Sequence, residues 1–453
     1  MPSLRARPWL QKLAAASPLV WMVLLGLVLR VALILYFRYY DFSPQSSNFL
    51  ILDYAPDVLR HFPFGFGYET GAIAYSLATG HGFASPFGGS TGPTAWVAPL
   101  YPAMCAAVFK MFGCFTLASG FVILLINSAS SSLVCIPIVK IGELTLGRKI
   151  GVWAGWIWAC GLSFMRWPTT WVWETGVSAL LLSILFLQSL RLARNSNAKA
   201  WARFGLVWGV AALTNPALLS FLPASGIYAA SKLRRNREPW LKPAAMSAIV
   251  FVLCISPWMV RNRVVFGEWI FIRGNAPFEF SLGNYHLSTG LGWFGKHPSQ
   301  NKYEWAKYAQ IGEVAYVAEK KKEALAFVRQ YPREFVGLCG TRMKAFWIGS
   351  PLTTDNWDHY NLYQALSAFM FLGLIAAFLY RAEGRWLYFW LLLTYPLAYY
   401  LVFAQPRYRH PIEPEMLMLS TYFVYLAIRD LAARFRLVPK PEPAETDHGV
   451  LAD

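Results

Sequence analysis

Nine long apolar runs constrain this chain more than any other feature, near residues 17–37, 118–140, 150–165, 174–192, 204–231, 243–260, 361–380, 386–403 and 412–429. About 20 apolar residues carry a helix across a bilayer, and a helix satisfies its own backbone polar groups there, so such runs read as membrane spans. The fifth run is too long for one helix. Thr214, Asn215 and Pro216 stand in its middle, and because proline removes a helix donor, this tripeptide predicts a turn between two short or tilted spans. The expectation is therefore an all-α polytopic membrane protein of about ten transmembrane helices. Composition agrees: 56% of residues are hydrophobic and 20 are tryptophan, more than a soluble domain covers with charge.

The formal net charge of +17 does not point to nucleic acid, because no basic face with interleaved aromatics and no binding motif accompanies it. The basic residues instead fill short connections between spans. A run at 94–113, TAWVAPLYPAMCAAVFKMFG, is ambiguous because it is short, carries Pro99 and Pro102 and ends beside Lys110. If it lies at the interface and the N-terminus is cytoplasmic, then KIGELTLGRK, RLARNSNAKAWAR, SKLRRNREPWLK, RAEGR and RDLAARFR all fall on the cytoplasmic side, as the positive-inside rule requires. If it crosses, four of them move outside. We therefore read 94–113 as an amphipathic or re-entrant helix on the outer face. Residues 1–436 then form one transmembrane domain with outer segments 38–117, 166–173, 261–360 and 404–411, and the polar, proline-containing tail 437–453 is expected to be cytoplasmic and disordered. Arg5, Arg7 and Lys12 precede a first run longer than a signal-peptide core and without a small-x-small cleavage site, so that run is expected to be retained. The six cysteines are scattered, with no CxxC or zinc-finger spacing, and read as small hydrophobes.

Transporters place ionisable groups at mid-membrane depth. These spans hold almost none apart from Arg30, for which snorkelling or pairing with a neighbouring helix is the simpler reading. Acids concentrate outside: Asp41, Asp53, Asp57 and Glu69 in the first outer segment, and Glu174 at the start of the fourth span. Glu69 opens ETGAIAYSLATG, which has apolar residues at helical spacing and a glycine stop, so it falls in the first turn of a short helix where the positive dipole end favours an ionised carboxylate. Such a carboxylate can act as a general base, or can simply complement the dipole. Glu174, in the Trp-rich RWPTTWVWETG, should lie at the outer membrane boundary. It could position an acceptor, pair with an arginine, bind a divalent cation together with Glu69, or serve only as a helix-start acid. In QPRYRHPIEP, Arg407, Arg409 and His410 sit where positive-inside statistics disfavour them, which suits contact with a phosphate at the headgroup plane or with ordinary lipid headgroups. Arg261 in PWMVRNRVVFG emerges from a span at the same level. The stretch 302–335 reads as an outer amphipathic helix with a basic middle.

Glu69, TAWVAPLYP, PWMVRNRVVFGEW and QPRYRHPIEP, in that order, resemble the GT-C glycosyltransferases of the type grouped with bacterial protein O-mannosyltransferases and the lipid A aminoarabinose transferase. The resemblance spans most of residues 17–430. It implies a GT-C-like bundle with outer juxtamembrane helices in a bacterial cytoplasmic membrane. It also implies a polyprenyl-phosphate-linked sugar as donor, an inverting displacement, and an acceptor hydroxyl on a lipid, glycan or protein at the outer face. By this resemblance Glu69 is the catalytic base and Glu174 the second acidic position. Relatives often carry an Asp-Glu pair where this chain has Tyr68-Glu69, so Glu69 acts alone or with Asp53 or Asp57. Ala98 stands where the aminoarabinose type has a lysine, which leaves donor phosphate contact to Arg407 and Arg409, with His410 and Arg261 as further candidates. A lipid-linked glycan ligase or polymerase, a transporter or flippase, and a noncatalytic assembly partner are the rival readings.

Overall fold

The structure is a computed structural model that describes residues 18–42, 66–292, 294–350 and 357–434. Asp53, Asp57 and the tail 437–453 lie outside the described residues. Those described fold almost entirely as helices, with one isolated bridge between Ala84 and Pro93. Six stretches are long and apolar enough to cross a membrane: Pro18–Tyr36, Leu117–Leu144, Thr175–Leu192, Leu241–Phe266, Asn361–Leu379 and Pro406–Arg434.

In chain order, α1 is Pro18–Tyr36, α2 Tyr68–Ala78, α3 Leu100–Phe112, α4 Leu117–Leu133, α5 Cys135–Leu144, α6 Arg148–Cys160, α7 Leu162–Thr170 and α8 Thr175–Leu192. Next come α9 Ala198–Thr214, a 3-10 turn at Pro216–Phe221, α10 Leu222–Arg235, α11 Leu241–Phe266 and α12 Ala276–Gly283. The remainder are α13 Lys302–Ile311, α14 Glu313–Gln330, α15 Pro332–Ile348, α16 Trp357–Leu379, α17 Arg385–Thr394, α18 Leu397–Leu401 and α19 Glu413–Arg434.

The other predicted spans are helices of shorter length, and in each the break has a local cause. Run 150–165 divides between α6 and α7 at Gly161, whose backbone is extended. Run 204–231 divides at Asn215, extended at φ −148°, whose side chain accepts from the Ala217 N–H at 3.1 Å and whose amide donates to Ser178 Oγ at 3.2 Å. Run 386–403 breaks where Pro396 begins α18. The ambiguous run 94–113 is helical only over α3, which buries Tyr101, Cys105, Val108 and Phe109 and packs against α2 and α4. The stretch 302–335, read as one helix, is three: Gly312 at φ 78° separates α13 from α14, and Tyr331-Pro332 separates α14 from α15.

The main core lies between α5, α6, α8, α9, α17 and α19, around Trp158, Phe186, Trp208, Tyr388 and Met416. Arg30 does not snorkel. It is fully buried, and its guanidinium donates to the carbonyls of Trp158 at 3.1 Å, Ala159 at 3.1 Å and Gly26 at 3.0 Å. It thereby satisfies carbonyls that α6 leaves open when it stops at Gly161.

The two ends of the bundle differ. At one end the basic connections meet: Glu143 takes Lys140 at 2.9 Å and Arg148 at 3.6 Å, while Glu383 takes Lys232 and Tyr228, each at 2.9 Å. At the other end residues 66–100, 171–175, 261–350 and 395–411 close over one cavity.

Candidate active site

That cavity has a volume of about 400 Å³, and every one of the four polar segments contributes to its wall. Glu69 enters from the first turn of α2, and Glu174 from the residue that precedes α8. Arg407 enters from a 3-10 turn at Pro406–Tyr408. Arg273 and His297 come from the long segment between α11 and α13.

Glu69 is 7% exposed, and its Oε1 accepts two hydrogen bonds, from Trp96 Nε1 at 3.3 Å and from His297 Nε2 at 3.1 Å. The histidine tautomer follows from its other nitrogen. The Ser299 backbone N–H, which can only donate, points at His297 Nδ1 from 3.1 Å, so Nδ1 accepts and the ring proton sits on Nε2, aimed at Glu69. The Ser299 hydroxyl adds a 2.6 Å contact to the same Nδ1. Burial raises the Glu69 carboxyl, but the hydrogen bond from His297, the local backbone and the positive Arg273 outweigh it and hold it below the ordinary carboxylate range. Glu174 goes the other way. Burial dominates and pushes its carboxyl up, with Arg273 and Arg407 countering only in part and Glu69 adding to the rise. One cavity thus holds two acids whose environments drive them apart.

Arg407 is 8% exposed and its guanidinium carbon sits among aromatic rings, 4.0 Å from the Trp173 centroid, 5.2 Å from Tyr408 and 5.6 Å from Trp171. A guanidinium held over aromatic rings gains cation–π attraction and offers a planar fork of N–H donors, which lysine does not. Arg273 donates through Nε to the Trp96 carbonyl at 3.0 Å and through one terminal nitrogen to Glu279 at 2.9 Å, and Asn275 donates to the same Glu279 oxygen at 3.0 Å. Residues 94–96, which bring Trp96 to the site, are themselves fixed by Glu313, which accepts from the Thr94 hydroxyl, from Ala95 N–H at 2.9 Å and from the Tyr308 hydroxyl at 2.8 Å.

Three of the residues picked from sequence lie outside the cavity wall. Arg409 is 1% exposed and its donors are directed elsewhere, to Glu413 at 3.1 Å, the Tyr363 carbonyl at 3.1 Å and Ser367 Oγ at 2.9 Å. His410 is fully buried against Trp158 and bonds Glu413 at 2.9 Å. Arg261 bonds the carbonyls of Thr94 at 2.7 Å and Phe83 at 2.9 Å while stacking on Trp258. All three brace loops that carry cavity residues. Sequence reading passes over Arg273, Glu279 and His297. The rule that singles out Arg407, an arginine at the wrong end for a membrane protein, would equally find Arg273. His297 carries no such mark, because its role depends on a partner distant in sequence. Among the described residues no group of three or more His, Cys, Asp or Glu side chains could hold a metal ion. The donor set is consistent with this: of the three carboxylates in the wall, Glu279 is engaged by Arg273 and Asn275, and the one imidazole presents a proton, not a lone pair, to Glu69.

No family model and no curated protein sequence matches the chain. Its fold, however, is the GT-C fold of polytopic membrane glycosyltransferases. Among solved structures it is similar to the oligosaccharyltransferase of Archaeoglobus fulgidus in complex with zinc and sulfate, with a TM-score of 0.51, 14% identity, and 93% of this chain aligned to 50% of that one. The same enzyme tethered to an acceptor peptide containing the NVT sequon gives a TM-score of 0.51 and 14% identity over 96% of this chain and 52% of that one. ArnT from Cupriavidus metallidurans bound to undecaprenyl phosphate aligns with a TM-score of 0.38 and 14% identity over 93% of this chain and 81% of that one. The chain spans about half the length of the oligosaccharyltransferase, and likeness at this identity defines the fold alone.

Proposed function

We propose that this protein transfers a sugar from a polyprenyl-phosphate-linked donor to an acceptor hydroxyl. The observation that carries the reading is Glu69: a buried carboxylate kept ionised by two donors on one oxygen, in a cavity whose wall also holds Arg407 and Arg273. The acceptor O–H gives its proton to Glu69 as its oxygen bonds to the sugar C1. The C1–O bond to the phosphate breaks with its electron pair on the leaving phosphate oxygen, and Arg407, with Arg273 of the same cavity wall, balances that charge. The transition state has oxocarbenium character, which the ionised Glu69 carboxylate in the wall favours. Glu174, in the same wall, hydrogen-bonds a sugar hydroxyl in this scheme. Arg261, Arg409 and His410 are assigned to holding the loops. The cavity is proposed to open on the outer face of a bacterial cytoplasmic membrane, with both termini cytoplasmic, because that orientation leaves the basic connections inside.

The test uses proteoliposomes with a polyprenyl-phosphate-linked sugar labelled in the sugar, and host membrane extract as the acceptor pool. Glu69→Gln should reduce label transfer by about 10²- to 10⁴-fold, the range for loss of a general base, while the protein still elutes as a folded species in detergent. Full transfer by that variant would overturn the assignment. Movement of intact labelled lipid without a new covalent product would mark a carrier.

A further inference from the structure

A second cavity, of about 390 Å³, lies behind α12. Helix α12 divides the two. Ala276, Glu279 and Leu282, at helical spacing, face the first cavity, whereas Phe278 and Ser281 face the second. The short segment after the 3-10 turn at Phe294–Lys296 is shared in the same way, since Lys296 lines the second cavity and its neighbour His297 lines the first. Nothing in the mechanism above uses the second cavity. We infer that it is the acceptor subsite and that the acceptor is a neutral saccharide of more than one ring; this rests on the transferase reading above.

The chemistry of the wall decides the class. Tyr285, Phe327 and Tyr331 supply aromatic surface, with His286 stacked on Tyr331 at 4.6 Å between centroids. Gln330, Lys296 and Lys320 supply hydrogen-bonding groups around those rings. Aromatic rings beside amides and ammonium groups match a sugar, which offers a C–H face and a rim of hydroxyls. Charge is balanced rather than accumulated. Lys320 is 5% exposed and paired with Glu304 at 2.9 Å and Glu323 at 3.4 Å, so the cavity has no spare cluster of cations for a phosphate or an acidic peptide. The mixed polar wall does not suit a lipid tail, which would need a continuous apolar lining.

Placement sets the length. A helix with its side chains is about 10 Å across, so a ligand seated behind α12 reaches Glu69 only if it continues past the helix. A single ring cannot do both. The inferred acceptor is therefore a chain that runs around α12, with its inner rings in the second cavity and its terminal hydroxyl at the base.

Direct binding tests this without turnover. The full-length protein in detergent is titrated with neutral gluco-, manno-, xylo- and chito-oligosaccharides from disaccharide to hexasaccharide, and binding is read by calorimetry. At least one series should bind with affinity rising beyond the disaccharide. Gln330→Ala, an exposed position, and Tyr331→Leu should each weaken that binding about tenfold or more, the scale of one good contact, with unchanged melting temperature for Gln330→Ala as the folding control. Binding that survives both cavity substitutions, or no binding by any member of the panel, overturns the inference. Failure of the transferase reading shows separately, as full transfer by Glu69→Gln.

Discussion

Glu69 and Glu174 share one cavity and one side-chain chemistry, and they differ in their donors. Glu69 has the Trp96 indole and the His297 imidazole on one oxygen, and its carboxyl is lowered despite burial. For Glu174 burial prevails and the carboxyl is raised. A lowered folded-state pKa means that Glu69 stabilises the fold above its unfolded value and that this contribution fades as pH falls through the lowered one. Transfer that depends on ionised Glu69 should accordingly keep its acid limb below about pH 4.3, the ordinary glutamate value. Removing a donor should shift that limb. His297→Ala is expected to raise the acid limb of the kcat profile toward or above the ordinary value, whereas His297→Gln, whose amide can still donate, should move it less. An acid limb indifferent to both substitutions would show that His297 does not hold the base. At this scale the sequence reveals the acids and Arg407, because a first-turn carboxylate and an arginine at the wrong end leave local marks. It cannot reveal His297, whose tautomer is set by the Ser299 amide and whose partner comes from another helix.

Elements are legible where apolar runs are long and breaks have chemical causes. The turn at Asn215-Pro216 and the short helix α3 follow from proline and from length alone. The single helix expected over 302–335 does not form, because Gly312 and Pro332 each end a helix within a stretch whose composition stays helix-forming throughout. How helices cross is not legible, since closeness depends on which residue faces which. Helices α16 and α19 meet at Gly373, where a Cβ would lie 2.0 Å from the Leu419 carbonyl oxygen, and α9 meets α11 at Gly205, where it would lie 2.1 Å from that of Ser247. Small residues at such crossings let backbones approach where lipid supplies no hydrophobic drive. Gly373→Val should therefore force the pair apart and destabilise the protein by about 1–3 kcal/mol, read as a lower melting temperature in detergent. Gly226, in α10, has open space where a Cβ would stand, with no neighbouring atom within 4 Å. Gly226→Ala should leave melting unchanged or raise it slightly, by helix propensity alone. Equal behaviour of the two substitutions would remove close packing as the reason for Gly373.

The whole molecule is organised by its two unlike ends. Basic connections gather at one, around Glu143 and Glu383, while Glu69, Glu174, Arg273 and Arg407 line a cavity at the other. A lipid-linked donor needs that arrangement, since its tail stays in the bilayer while its phosphate must meet cations at the rim of the same cavity. The segments that supply the cavity are far apart in sequence, so their convergence makes sidedness a property of the fold and not of any one loop. It can be read with two reporters in a background whose six native cysteines are replaced, Cys160 among them because it is exposed. His81→Cys lies just beyond α2, the helix whose first turn carries Glu69, and Arg237→Cys lies in the basic connection between α10 and α11; both positions are exposed. A membrane-impermeant maleimide added to intact spheroplasts should label the cysteine at 81 and should reach the one at 237 only after permeabilisation. Reversed labelling would put the cavity in the cytoplasm, where an outer-face transfer could not occur. Labelling of both from outside would dissolve the two-ended arrangement itself, and with it the meeting of carboxylate and guanidinium groups at one membrane surface.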